Sequence, residues 1–151
     1  MIKKVLLSAV FLLSAIIPAF SQSSEELTVI LQSEKATLAQ ISYLPALYAN
    51  LIDEKGSEAQ AFEALKNTGY FSEDSSSDSE ASLQDACGIL VKTLGIKGGL
   101  FYSLFKSNRY AFKELKARGI LPNTADPDYK LSGRDFLDLF NSCLTLAGGA
   151  Q

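Results

Sequence analysis

Ala61-Phe62-Glu63-Ala64-Leu65-Lys66-Asn67-Thr68-Gly69 recurs fifty residues on as Ala111-Phe112-Lys113-Glu114-Leu115-Lys116-Ala117-Arg118-Gly119. The matches hold one offset: Ala61 on Ala111, Phe62 on Phe112, Leu65 on Leu115, Lys66 on Lys116 and Gly69 on Gly119. Farther along, Ser82 falls on Ser132 and Asp85 on Asp135 at the same spacing. An offset held through two helices and the loop between them marks a duplicated supersecondary unit. In each copy the Ala, Phe and Leu face inward, and the glycine supplies the left-handed residue that stops the helix.

The next helix in each copy opens on a capping box. Ser82-Leu83-Gln84-Asp85 and Ser132-Gly133-Arg134-Asp135 pair an N-cap hydroxyl with an acid three residues on. Thr37-Leu38-Ala39-Gln40 repeats the device, so this helix start occurs three times. Ser57 with Gln60 opens the helix that ends at Gly69; Ser107 or Asn108 opens its counterpart. Pro45 should kink or split the first helix, because it removes one ladder N–H. The expected fold is all-α, with five or six short helices in two and a half helix–loop–helix repeats over residues 36–147. Residues 22–35 read as an N-terminal linker, and residues 148–151 as a tail.

The first 21 residues read as a signal peptide. Lys3 and Lys4 precede an apolar run, Val5 to Ile17, and Ala19 and Ser21 are the small residues a signal peptidase recognises. The run is shorter than the roughly 20 residues of a spanning helix, so no transmembrane segment is expected after cleavage. Export to the periplasm or envelope follows. The whole chain carries a net charge of −3, and loss of the two lysines leaves 12 basic against 17 acidic residues. That balance argues against a nucleic-acid partner. Histidine is absent, and no Gly-x-Ser-x-Gly elbow or paired carboxylates in an apolar setting appear, so the chain reads as non-enzymatic, without a cofactor. Cys87 and Cys143 lie on apolar stripes; oxidising conditions permit a disulfide, and buried free thiols are the simpler reading.

The repeat grammar resembles the S-layer homology (SLH) motif, a helix–loop–helix unit used in threes. Ala61-Phe62-x-x-Leu65-x-x-x-Gly69-Tyr70 and Ala111-Phe112-x-x-Leu115-x-x-x-Gly119-Ile120 fit its first helix. Leu131-Ser132-Gly133-Arg134-Asp135-Phe136 fits the start of its second, with Ala81–Ala86 and Ala36–Ile41 as looser echoes. The resemblance implies an SLH-like helical repeat that binds cell-wall polymer. The arginine that contacts polymer in that family falls here on Gly133, Leu83 and Leu38, and Arg134 stands one residue along. The segments Gly98–Tyr102 and Asn108–Ala111 also look like small exported spirochaete envelope proteins of unassigned role.

Two surfaces are candidates. From Lys97 to Arg118 six basic residues stand against Glu114 alone, while Glu73 to Asp85 holds five acids and no base. Arg109, Lys113 and Lys116 with Tyr110 form a basic helix face suited to an anionic wall polymer or peptidoglycan, a lipid headgroup or an acidic partner; Arg134 is a second cation. A solvated helix face is the plain alternative. The other surface is Leu100, Phe101, Tyr102 and Phe105, between the copies. Core packing at the junction is the simpler expectation. The alternative is a docking patch for an envelope or outer-membrane protein complex. Asp74 to Glu80 spaces its oxygens as a calcium loop does, but Ser79 stands where glycine is needed, so an acidic turn is expected.

Overall fold

The structure, a computed structural model, describes residues 18–149. The expected signal peptide therefore lies mostly outside the described residues, as does the end of the tail. Seven helices are described: α1 (Pro18–Gln32), α2 (Leu38–Tyr48), α3 (Glu58–Asn67), α4 (Leu83–Thr93), α5 (Leu100–Phe105), α6 (Asn108–Ala117) and α7 (Gly133–Gly148). The all-α expectation holds, with one helix more than the upper count. Residues 22–32, read from sequence as linker, belong to α1. Pro45 does not split α2, which runs through it as one segment.

Four of the helix starts are fixed by the same local chemistry. Thr37, Ser57, Ser82 and Ser132 all form capping boxes, with Gln40, Gln60, Asp85 and Asp135 returning to the cap N–H. The Ser132 hydroxyl, donating to Asp135, leads in holding that carboxyl below its ordinary value. Helix ends are equally regular. At α3 the Tyr70 N–H reaches Leu65 O and Gly69 N–H reaches Lys66 O; at α6 Ile120 and Gly119 make the same pair of bonds to Leu115 and Lys116. These are Schellman motifs, and Gly69 (φ 81) and Gly119 (φ 74) occupy their left-handed positions.

Sequence pattern did not show how the units join. The Ala36 N–H donates to Leu131 O (2.7 Å), Ala81 N–H to Ala36 O (2.8 Å) and Leu131 N–H to Ala81 O (3.2 Å). These three buried residues precede the three caps, so the bonds close a ring about a pseudo-threefold axis. From the ring α2, α4 and α7 pack on one another, and each carries an outer helix: α3 on α2, α6 on α4 and α1 on α7. The half unit is thus completed by α1. The loops also serve the helix starts. Ser79 O and Ser77 O accept from Leu38 and Ala39 N–H, and Tyr129 O and Pro127 O from Leu83 and Gln84 N–H. Each pair satisfies two first-turn donors that a helix leaves open.

Helix α1 also meets α3 through a carboxyl pair. Burial pushes the Glu58 carboxyl up to about 7, aided by the charge of Glu26 and a hydrogen bond to it. The unfolded carboxyl titrates near 4.5, so the folded state holds the proton more tightly. The resulting stability is fully present below about 4.5 and is lost as pH rises through 7. Glu58→Gln should therefore raise stability at pH 8 by about 1–2 kcal/mol, the full linkage value being discounted for partial exposure. At pH 4.5 it should change little. Thermal melts at the two pH values check this; an equal shift at both would show that the carboxyl is not the cause.

Candidate functional site

Helix α6 presents two flanks. On one, Arg109, Lys113 and Lys116 line a groove of about 390 Å³ with Phe112, Gln84 of α4 and Pro127 of the following loop. No carboxylate lines it. Among the described residues neither Arg109 nor Lys113 forms an ion pair; the two pairs present are Lys35–Glu80 and Arg118–Glu114. Positions i, i+4 and i+7 share a helix face, which is why the spacing of these cations was legible.

The three cations are not equivalent. Lys116 Nζ donates to Asn123 O (2.7 Å) and sits over the Phe112 ring at 5.5 Å. In the first unit Lys66 does the same with Ser75 O (2.9 Å) and the Phe62 ring (5.6 Å). This lysine ties an outer helix to its loop in both units and belongs to the fold. Arg109 and Lys113 correspond instead to Ala59 and Glu63. Nothing in the repeat requires positive charge there, so these two cations distinguish the second unit.

Tyr110 lies on the other flank. Its ring stacks on Phe105 (5.1 Å) and Phe101 (6.0 Å), with Lys113 Nζ at 5.3 Å. Tyr110 and Lys113 help to line a second cavity of about 430 Å³, between α5 and α6. The basic groove and the aromatic cluster thus share Lys113 but not Tyr110. Arg134 lies exposed on the first turn of α7 and lines neither cavity.

Helix α5 does not pack into the junction. Leu100 is 72% exposed, Phe101 63%, Leu104 67% and Phe105 60%, while Tyr102 turns inward against the core. Leu104 joins the patch although the sequence reading did not single it out; it lies in the same apolar run. The base of α5 is held by Glu114, which accepts from Gly99 N–H (2.8 Å) and from Arg118 Nε (2.7 Å). Burial opposes the Glu114 charge, but these bonds outweigh it and hold the carboxyl below its ordinary value. Arg118 also donates to Lys97 O.

Cys87 and Cys143 are buried free thiols. Burial pushes the Cys87 thiol far up and Cys143 up to about 12, so neither forms a ready thiolate. No group of three or more His, Cys, Asp or Glu among the described residues is placed to hold a metal ion. No helix among them is long and apolar enough to cross a membrane. No family model, curated protein or solved structure matches the chain.

Proposed function

We propose that this chain is an exported, non-enzymatic module of the cell envelope that binds an anionic wall polymer along the α6 groove. The observation that carries this reading is the carboxylate-free groove lined by Arg109, Lys113 and Lys116, in which neither Arg109 nor Lys113 has an ion-pair partner. An open groove with spaced cations suits a chain bearing repeated acidic groups. The site differs from that of the resembled motif. Leu38 and Leu83 are buried and Gly133 has no side chain, so recognition rests on the outer helix rather than on the capping-box turn.

Sedimentation with purified peptidoglycan sacculi tests the reading. The protein should pellet with sacculi at low salt and be released as salt screens the contact. Arg109→Ala with Lys113→Ala should weaken binding about tenfold or more, since a hydrogen bond to a charged group contributes about 1.5–3 kcal/mol. Thermal stability should stay within about 0.5 kcal/mol, because both side chains are exposed. Absence of the protein from the pellet at low salt would overturn the proposal.

A further inference from the structure

Helix α5 is an addition to the repeat. From Thr37 to Ser82 the helix starts are 45 residues apart, whereas Ser57 and Ser107 are 50 apart. The register slips within residues 94–107, the connection that contains α5; the equivalent connection, residues 49–57, holds no helix. The first unit closes without such a helix, so the fold does not require four large apolar side chains to stand in solvent here.

We infer that α5 is a membrane-docking tip that inserts Leu100, Phe101, Leu104 and Phe105 into the interface of an anionic lipid bilayer. Three observations favour lipid over a protein surface. First, four side chains at about two-thirds exposure present on the order of 500 Å², short of the roughly 800 Å² one partner contributes to a standard protein interface. A bilayer needs no matching shape. Second, Lys97 precedes the tip, Lys106 follows it, and Lys113 stands over the Tyr110 ring on which Phe101 and Phe105 stack. The one acid among them, Glu114, is already engaged by Gly99 and Arg118. An apolar tip rimmed by cations complements an anionic headgroup layer, and in a chain of net charge −3 this concentration of positive charge is local. Third, α5 is clamped at its base through Glu114, so its rings are held in place before contact.

Vesicle co-sedimentation tests this, using phosphatidylcholine vesicles with and without 30% phosphatidylglycerol. The protein should bind the anionic vesicles and not the neutral ones, with binding reduced by salt. Leu104→Ser with Phe105→Ser should weaken vesicle binding about tenfold or more and leave the melting temperature and sacculus binding unchanged. Lys97→Glu with Lys106→Glu should weaken it while preserving the apolar tip. Failure to bind anionic vesicles, equal binding by the double serine variant, or equal binding to neutral vesicles would overturn the inference. So would a dimer in sedimentation velocity that the serine variant abolishes, since a second copy would then cover the tip. Loss of sacculus binding alone would count against the polymer reading and leave this one standing.

Discussion

Gly133→Ala is expected to lower stability by at least about 3 kcal/mol, because the added methyl has no room and its neighbours are backbone. A Cβ at Gly133 would stand 1.6 Å from Ile30 O and 2.5 Å from the Ile30 carbonyl carbon. Relief requires α1 to move off α7, which breaks the Gly133 N–H bond to Ser33 O (2.9 Å) and disturbs the Ala36–Leu131 link of the ring. Gly133 does not adopt a positive φ, so the constraint is space rather than backbone conformation. The equivalent positions carry Leu38 and Leu83, whose N–H groups meet longer loops instead of a helix end. Urea denaturation followed by circular dichroism measures the effect. A loss under about 1 kcal/mol would show that α1 is not seated on α7 as described.

Phe136→Ala should cost about 3–5 kcal/mol, the range for truncating a fully buried phenylalanine. Phe136 stands four residues after its cap, where the other two units have Ile41 and Ala86, and all three are fully buried. The axis is therefore symmetric in backbone and asymmetric in side-chain volume. The large ring in the third unit has no duplicate whose side chain could replace it. Phe136→Leu, which keeps much of the volume, should cost about 1–1.5 kcal/mol. Phe105→Ala, at the exposed tip, should stay within about 0.5 kcal/mol. The same urea titrations check all three, and similar losses at Phe136 and Phe105 would refute the burial pattern.

Much of this molecule is local and so was legible. Capping hydroxyls, stop glycines and inward Phe and Leu act within one or two turns, and they recur at fixed offsets because each unit needs them. The cation spacing on α6 was legible for the same reason. Other features combine distant segments. Gln84 and Pro127 reach the groove only because α4, α6 and the loop after α6 meet in space. Tyr110, adjacent in sequence to Arg109, turns about 100° around the helix and so joins α5 instead. Residues 22–32 carry no strong helical signature in the sequence, and the place of α1 becomes intelligible only against α7.

By itself the sequence determined an all-helical chain of repeated units, where most helices start and stop, and which helix face is basic. These follow from backbone donors and acceptors that must be satisfied within a few residues. Only the tertiary structure decided that the units close into a hydrogen-bonded ring with the chain's first described helix completing the third. It also decided that Lys116 serves the fold while Arg109 and Lys113 are left without ion-pair partners, and that the apolar run at Leu100 to Phe105 faces outward. Those outcomes depend on which segments remote in sequence pack against one another, and no local preference encodes that.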